Sequence, residues 1–168
     1  MKARLEQPGD EAAIHTLTLA AFEPMAFSDG SEADIIERLR ANGDLALSLV
    51  ALEGDEIVGH VAFSPVAIGE ERGWFGLGPV SVRPDCQRRG IGSRLIEDGM
   101  ARMETRGAAG FVLVGDPGYY SRFGFCSDGR LTYGDVPSRY VQWRAVETEP
   151  PAGPLRYASA FDGETKSD

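Results

Sequence analysis

The stretch of sequence that decides the fold reads Val80-Ser81-Val82-Arg83-Pro84-Asp85-Cys86-Gln87-Arg88-Arg89-Gly90-Ile91-Gly92-Ser93-Arg94. Pro84 directs a turn after a strand-like apolar run, and Gly90 and Gly92 lie where a helix opens. Small residues at a helix N-terminus let backbone N–H groups and the positive end of the helix dipole close on an anion. The stretch therefore predicts a strand, a turn and a helix start that bind a phosphate or pyrophosphate.

The charge around this turn differs from that of the whole chain. Residues 83–94 carry four arginines and one aspartate, a net charge of +3, whereas the 168-residue chain has a net charge of −9. The rest of the chain therefore carries −12. Local positive charge favours an anion ligand, but an acidic chain argues against nucleic acid as a partner.

Two common phosphate motifs do not fit this turn. No Gly-Lys-Ser/Thr follows, as a P-loop requires, and Leu95 stands where the third glycine of G-x-G-x-x-G would be. From the residues alone, an anion site and a solvated basic helix start are both open.

The pattern on either side predicts an α/β (α+β) domain. Apolar spacing and turn residues predict helices over about 10–21 and 31–42, strands over 45–52, 57–68 and 74–82, a long helix from Ile91 to Arg106, a buried strand over 110–114, a short helix over 116–123, and late strands at Phe125 and 141–146. The first two strands form a hairpin with a four-residue connection. The proline-rich run 150–154 is expected to end the regular structure, which leaves 148–168 as a tail with an apolar patch over 155–161.

Two motifs carry a resemblance to a known family. Gln87-Arg88-Arg89-Gly90-Ile91-Gly92 resembles the Q/R-x-x-G-x-G/A signature of the GNAT acetyltransferases, and Tyr120 to Phe125 resembles their Y-x-x-x-G-F segment. With Leu77-Gly78-Pro79 ahead of the signature and Gly115-Asp116-Pro117 ahead of the tyrosines, the chain resembles a branch of this family whose substrate is undefined. The resemblance covers 1–147 and implies one GNAT domain there, with a mixed, mostly antiparallel sheet flanked by helices and opened by two splayed parallel strands.

The resemblance also implies a site and a reaction. Acetyl-CoA would lie between strands 74–82 and 110–114, and Tyr120 would be the general acid that protonates the departing thiolate. An amine would attack the thioester directly, helped by strand amides near Val80, with no metal. The cofactor-binding residues implied by the resemblance are Val80, Ser81 and Val82 for the pantetheine arm, and Gln87, Arg88, Arg89, Gly90, Ile91, Gly92 and Ser93 around the pyrophosphate.

The general base is left open by the sequence. Strand 74–82 contains no carboxylate, so the candidates are His60, Glu70, Glu71, or water alone. Each candidate has a structural alternative, because a single strand histidine is commonly structural and acidic residues in turns are commonly solvated.

The resulting expectation is an N-acetyltransferase that acts on a primary amine of a small molecule or a protein. The acidic remainder of the chain would suit a cationic acceptor. One alternative is a non-catalytic acyl-CoA-binding sensor or regulatory module, and another is a plain interaction domain that binds no CoA. A homodimer is left open.

The cysteines and the apolar stretches of the sequence predict the cellular compartment. Cys86 and Cys126 are distant in sequence and have no neighbouring histidines, so neither a disulfide framework nor a zinc site is expected. Residues 45–52, the longest apolar stretch, are far shorter than the roughly 20 residues of a membrane span, and residues 1–6 open no signal peptide. We therefore expect a cytoplasmic protein that does not bind a membrane.

Overall fold

The computed structural model describes residues 1–163, and residues 164–168, the end of the predicted tail, lie outside the described part. The strands are β1 (Lys2–Leu5), β2 (Leu47–Glu53), β3 (Glu56–Ile68), β4 (Glu71–Val82), β5 (Gly110–Val114), β6 (Leu131–Thr132), β7 (Val141–Ala145) and β8 (Gly153–Tyr157). The α-helices are α1 (Glu11–Phe22), α2 (Glu32–Asn42), α3 (Ile91–Thr105) and α4 (Pro117–Tyr120), with short 3₁₀ segments after β4, α4 and β8 and before β7.

The strands form one mixed sheet in the order β1-β2-β3-β4-β5-β7. Every pair along this path is antiparallel except β4 with β5, which runs parallel and is joined through α3. A parallel pair needs such a crossover, because a tight turn cannot bring two parallel strands together. The predicted fold, mostly antiparallel with one parallel pair, is confirmed.

The two faces of the sheet bury different helices. On β3, Val61 and Phe63 point into the main core beneath α3, together with Leu95 and Met100. Side chains alternate between faces along a strand, so His60 points to the other face, where α1 and α2 pack around Ile14, Ile36 and Val50. Apolar stripes on three helices thus cover the sheet on both sides.

The parallel pair opens soon after it begins. Its register joins Trp74 with Gly110 and ends at Gly76 with Val112, although β4 continues to Val82. Two residues beyond Gly76, β4 bulges against β3, because Gly78 and Pro79 lie opposite the single residue Ala62. A bulge bends and twists its strand. The outer half of β4 therefore diverges from β5 and leaves a cleft between them.

Most predicted elements are confirmed, with shifted ends. The first hairpin is tighter than predicted, because Glu53 pairs with Glu56 and only two residues connect the strands. Phe125 does not form the predicted strand, and only a single bridge from Cys126 to Trp143 lies there. Strands β1 and β6 were not predicted, since a four-residue edge strand and a two-residue strand have too little periodicity to be recognised.

The prediction that regular structure ends in the proline-rich run 150–154 is wrong. Strand β8 pairs antiparallel with β3 over Val66–Ile68, on the edge that β2 leaves free beyond Phe63. Leu155 is buried, and the ring of Tyr157 packs over Gly76, where a Cβ atom would come within 2.7 Å of it. Burial of these apolar side chains holds the segment against the sheet, although its prolines gave no sign of a strand.

Among the described residues, no helix is both long and apolar enough to cross a membrane.

Candidate active site

The cleft between β4 and β5 exposes part of the backbone of β4. Arg83 donates its N–H to the carbonyl of Val58 on β3 at 2.8 Å. Backbone groups of successive strand residues point to opposite edges, so Ser81 also directs its backbone towards β3. Val80 and Val82 direct theirs towards the edge that β5 leaves open. Of the three residues predicted to pair with an extended ligand, two therefore have backbone groups free to do so by this alternation.

Ser81 is used differently from its neighbours. It is buried, and its hydroxyl donates to Thr18 Oγ1 on α1 at 3.3 Å. The side chain thus ties β4 to the helical face opposite α3. Ser81 lies beside the predicted ligand position along the strand. Its own backbone pairs with β3, so it is not available to pair with a ligand.

The glycine-bearing turn after β4 is held in an uncommon backbone conformation. Gly90 precedes α3 with a φ of +83°, and Arg88, a non-glycine residue, has a φ of +65°. Such angles are sparsely populated by residues with side chains and cluster at functional sites. The first N–H groups of α3, on Ile91, Gly92 and Ser93, have no acceptors within the helix and point out at its start. The turn is therefore shaped to present donors to an anion.

The arginines of this turn differ in what they contact. Arg83 pairs with Asp85 at 2.6 Å and with Glu56 at 2.9 Å, so its charge is neutralised. Arg89 lies 3.7 Å from Glu53. Arg88 and Arg94 are exposed and have no acidic partner among the described residues. The positive charge available to a ligand is thus smaller than the count of arginines indicates, and it comes from Arg88 within the turn and Arg94 in the first turn of α3.

Gln87 stabilises the connection between strand and turn. Its side-chain amide donates to the carbonyl of Val82 at 3.1 Å. This contact occupies the last backbone acceptor on the open edge of β4. Gln87 therefore helps to hold the turn against the end of β4. Because the Val82 carbonyl is occupied, the backbone N–H and C=O groups of Val80 are the main ones left free on this edge.

Tyr120 lies at the opposite wall of the cleft, just after β5. Asp116 caps α4 by accepting from the N–H of Gly118 at 3.0 Å, which directs the helix away from the strand end. The Tyr120 ring packs edge-on against Tyr119 and Phe125. It also lies over Gly115, where a Cβ atom would stand 2.7 Å from the ring. Only a glycine at position 115 leaves room for this ring position.

Burial raises the pKa of the Tyr120 hydroxyl to about 12, with smaller contributions from Tyr119 and the charge of Asp116. The desolvated phenolate is disfavoured, so the group stays protonated throughout the neutral range. The protonated hydroxyl of Tyr120 is therefore chemically able to donate a proton or a hydrogen bond at neutral pH.

The two walls of the cleft meet at Tyr119. Its hydroxyl lies 3.6 Å from the point where a Cβ atom on Gly92 would stand, in the first turn of α3. Arg122 stacks on the same ring at 4.5 Å. The folded chain thus brings the glycine turn, the open edge of β4 and the tyrosine pair to one end of the parallel strands, which is where open sheets commonly bind ligands.

The acidic candidates for a general base do not reach this cleft. Glu70 lies in the turn between β3 and β4, and Glu71 is the first residue of β4, at the end of the strand far from the cleft. Val80 is nine positions beyond Glu71, which corresponds to roughly 30 Å of extended strand. Neither carboxylate can take a proton at the cleft directly, and both side chains are exposed at the surface.

His60 is fully buried and belongs to a hydrogen-bonded network. Its Nε2 lies 2.7 Å from Ser48 Oγ, which donates to Glu6 Oε1 at 2.9 Å, and Glu6 pairs with Arg40 at 2.7 Å. Because the serine gives its proton to Glu6, Nε2 must be the protonated ring nitrogen. The network joins β1, α2, β2 and β3. His60 thus has a structural role that accounts for its position.

Burial lowers the pKa of His60 to about 4, opposed by the nearby charge of Glu6 and assisted by that of Arg40. When the pH falls below 6.5, the ordinary pKa of this imidazole, His60 takes up a proton in the unfolded chain but not in the folded protein. Stability should therefore fall as the pH drops, by about 2 kcal/mol between pH 7 and pH 5. Glu6, whose pKa is lowered chiefly by its hydrogen bonds to Arg40 and Ser48 against the cost of burial, adds its own loss only below its ordinary value of 4.5.

Urea unfolding at pH 7 and pH 5 measures this loss. His60→Gln, if folded, should lose much less stability than the wild type between these two pH values. A wild-type free energy of unfolding that stays constant over this range would contradict the buried neutral imidazole.

Sequence reasoning missed a cavity on the other helical face. A cavity of about 340 Å³ lies between α1 and α2 and is lined by Thr18, Leu19, Phe22, Glu23, Ser28, Gly30, Glu32 and Ala33. Its residues come from a helix end, a loop and a helix start, and no local motif groups them. Glu32 had the pattern of an ordinary acidic residue in the first turn of a helix.

Comparison with known proteins adds independent findings. The family model described as an acetyltransferase (GNAT) domain matches residues 4–127. The Escherichia coli protein named "Uncharacterized N-acetyltransferase YhbS" is 38% identical over 127 residues, which cover 74% of this chain and 73% of that protein.

Solved structures agree over nearly the whole chain. A GNAT family acetyltransferase from Brucella melitensis, in complex with acetyl-CoA, has a TM-score of 0.87 and 47% identity, and covers 96% of this chain and 97% of its own. Escherichia coli YhbS in complex with CoA also has a TM-score of 0.87, with 29% identity, and covers 96% of this chain and 91% of its own. Both structures share the sheet and helices described above.

Proposed function

Because the chain belongs to the GNAT acetyltransferase family, we propose that it transfers the acetyl group of acetyl-CoA directly to a primary amine. One observation supports the proposal: the parallel pair ends at Gly76 with Val112 although β4 continues to Val82, and the hydroxyl of Tyr119, the neighbour of Tyr120, lies 3.6 Å from the Cβ position of Gly92 at the start of α3. Relatives with this fold are described in complex with acetyl-CoA or CoA.

The cleft suits each part of the cofactor. The amide groups of the pantetheine arm would pair with the backbone of Val80, in the way that a strand pairs with a sheet edge. The pyrophosphate would accept from the N–H groups over residues 88–93, with Arg88 and Arg94 adding charge. Ile91 contributes its backbone there, while its side chain is buried in the core. No metal is needed for any of these contacts.

The reaction then needs three events. The neutral amine nitrogen forms a bond to the thioester carbonyl carbon, the C–S bond breaks, and the electron pair stays on sulfur. An N–H donor near Val80 would stabilise the carbonyl oxygen as it gains charge. The attacking nitrogen loses a proton to water, because none of the three predicted base candidates borders the cleft.

Tyr120 would assist the departure of the thiolate. A phenol of pKa about 12 remains protonated, so it can always donate a hydrogen bond to the sulfur. An ordinary thiol has a pKa of about 8.5, and exclusion from water raises it. Full proton transfer from Tyr120 is therefore favoured only while the thiolate is shielded from water, and the phenolate would then regain a proton from the solvent.

Titration of acetyl-CoA into the purified protein, followed by calorimetry, tests the proposal. Acetyl-CoA and desulfo-CoA are expected to bind with micromolar affinity, and ATP, which lacks the pantetheine arm, much more weakly. A protein that binds none of the CoA compounds would be a fold without the proposed function.

A substitution at Gly115 tests the position of Tyr120. Gly115→Ala places a Cβ atom 2.7 Å from the ring, so the ring must move, and we expect kcat to fall by about tenfold, since small displacements of a catalytic group are costly. Acetyl-CoA affinity should change little. Gly118→Ala on α4, whose nearest contact would be 3.3 Å, is the matched control and should retain activity; equal activity in both variants would argue against the role of Tyr120.

We also propose that the protein acts in the cytoplasm. Both cysteines are free, one buried and one exposed, which suits a reducing compartment.

A further inference from the structure

A buried glutamine lies on β7, the strand that pairs with β5 ahead of the proposed acid. Gln142 stands opposite Leu113 of β5, and residues directly opposite each other in an antiparallel pair point to the same face of the sheet. Leu113 belongs to the core beneath α3, so Gln142 points into that core as well. Only 1% of Gln142 is exposed. A polar side chain buried this deeply is uncommon and needs a physical reason.

The two polar atoms of this amide are used unequally. Nε2 of Gln142 donates to the carbonyl of Gly115 at 2.9 Å, whereas Oε1 is shielded from solvent and has no hydrogen-bond partner among the described residues. A buried polar atom without a partner costs free energy. An apolar side chain of the same length would avoid that cost and fill the same space. The contact with Gly115 is therefore the feature that only the amide supplies.

Gly115 is held by hydrogen bonds on both sides. Its N–H donates to the carbonyl of Tyr140 at 3.0 Å, and its carbonyl accepts from Gln142. Glycine has the widest backbone freedom of any residue, so its peptide groups turn easily when such a bond is lost. Gln142 fixes the peptide that joins Gly115 to Asp116, the N-cap of α4.

The orientation of this peptide affects Tyr120 in two ways. Within the backbone, the carbonyl of Asp116 accepts from the N–H of Tyr120 at 3.0 Å. Across space, the Tyr120 ring lies so close to Gly115 that a Cβ atom there would stand 2.7 Å from it. A turn of the peptide would therefore move both the start of α4 and the surface that the ring contacts.

We propose that Gln142 is a positioning residue for the acetyl transfer: its hydrogen bond to the Gly115 carbonyl fixes the surface that the Tyr120 ring contacts, and thereby the direction of the Tyr120 hydroxyl. This inference rests on the proposed function, in which Tyr120 assists the departing thiolate. Gln142 is buried and does not itself meet the reacting atoms. Its contribution should therefore appear in kcat and not in the affinity for acetyl-CoA.

Gln142→Met tests the proposal with little change of shape. Methionine is unbranched and adapts to its surroundings, but its thioether cannot donate to Gly115. We expect kcat, measured by thiol release with a panel of primary amines, to fall by about tenfold, while the KM for acetyl-CoA stays within about twofold of the wild-type value. Gln142→Leu, which also lacks the donor, should show the same loss and replaces Gln142→Met if that variant does not fold.

A double-mutant cycle separates positioning from a general loss of stability. In the Tyr120→Phe background there is no hydroxyl to direct, so the further substitution Gln142→Met should change kcat by less than about twofold. Ser48→Ala is the matched control, because it removes a buried hydrogen-bonding side chain from the network around His60. It should lower the melting temperature and leave kcat at the wild-type value.

The ring can also be observed without an acceptor. The chain has five tyrosines, and in protein labelled with ¹³C on the tyrosine rings, the Tyr120 resonance is the one that Tyr120→Phe removes. Gln142→Met should shift or broaden this resonance. The resonance of Tyr133, whose ring packs against Tyr157, should stay unchanged.

The outcomes distinguish this inference from the proposed function. A wild-type protein that binds no CoA compound overturns the proposed function, and this inference with it. If Tyr120→Phe loses activity while Gln142→Met retains it, or if the two losses multiply in the double variant, the positioning role of Gln142 is overturned and the proposed function stands. A Tyr120 resonance that is unchanged in Gln142→Met overturns the positioning role in the same way.

Discussion

Replacement of Gly90 by glutamate is expected to weaken acetyl-CoA binding by about a hundredfold or more, equivalent to about 2.7 kcal/mol. Gly90 precedes α3 with a φ of +83° and has no atom within 4 Å of its Cβ position. A side chain there would project into the space in front of the helix start. The glutamate would also place a negative charge where the pyrophosphate is proposed to bind, and repulsion between the two adds to the steric conflict.

The same helix provides a matched control. Gly107 follows the C-terminal end of α3 with a φ of +92°, and its Cβ position is equally open. Gly107→Glu therefore introduces the same side chain and a similar backbone strain, but at the end of the helix that no ligand is proposed to contact. Calorimetric titration of wild type and both variants should show the loss only in Gly90→Glu.

Either of two results would contradict this interpretation. Retention of wild-type affinity in Gly90→Glu would remove the turn from the cofactor site. An equal loss in Gly107→Glu would show that the effect comes from strain or unfolding, and not from the position of the charge.

Replacement of Tyr120 by phenylalanine is expected to lower kcat by at least about tenfold, because a general acid typically contributes roughly 10²–10⁴-fold. The ring and its contacts with Tyr119 and Phe125 would remain, so the KM for acetyl-CoA should stay close to that of the wild type. Because burial raises the pKa of Tyr120 to about 12, its deprotonation should not limit the wild-type rate below about pH 10.

Initial rates of thiol release, with a panel of primary amines as acceptors, measure this effect. Tyr133→Phe is the control, since the Tyr133 ring packs against Tyr157 and not against Tyr120 or its ring partners. It should leave kcat unchanged. An unchanged rate in Tyr120→Phe would remove Tyr120 as the acid, and a loss in Tyr119→Phe instead would transfer the role to its neighbour.

The experiment also distinguishes the enzyme from a binding module. A wild-type protein that binds acetyl-CoA but acetylates none of the amines would match the acyl-CoA sensor. The absence of a carboxylate on β4 within residues 74–82 favours the sensor, whereas the retained, protonated Tyr120 favours the enzyme.

Much of the fold could be predicted because its signals are local. The apolar stripe of α3, with Ile91, Leu95 and Met100 on one face, needs only the period of a helix to be recognised. The glycines at 90 and 92 similarly indicate a backbone conformation from their own chemistry. Strand β8 could not be predicted in this way, because its pairing with β3 depends on an edge that only the folded hairpin leaves free.

The candidates for the general base show the same limit of prediction from sequence. His60 has a side chain suited to proton transfer, but the sequence does not indicate how deeply it is buried. Only the folded structure shows that β1, β2 and α2 enclose it and that Ser48 already occupies its Nε2. Glu70 and Glu71 are close to β4 in sequence, yet the strand carries them to the end opposite the cleft.

By itself, the sequence determined the order of the main elements. It also indicated the turn that is proposed to bind the pyrophosphate and Tyr120 as the proposed acid, since each depends on spacing within a few neighbouring residues. The tertiary structure decided which backbone groups face the open edge of β4, how Gly115 admits the Tyr120 ring, and that Thr18, Ser28 and Glu32 share one cavity. These features depend on contacts between residues far apart in the chain, and such contacts exist only once burial of the apolar core has fixed the elements against one another.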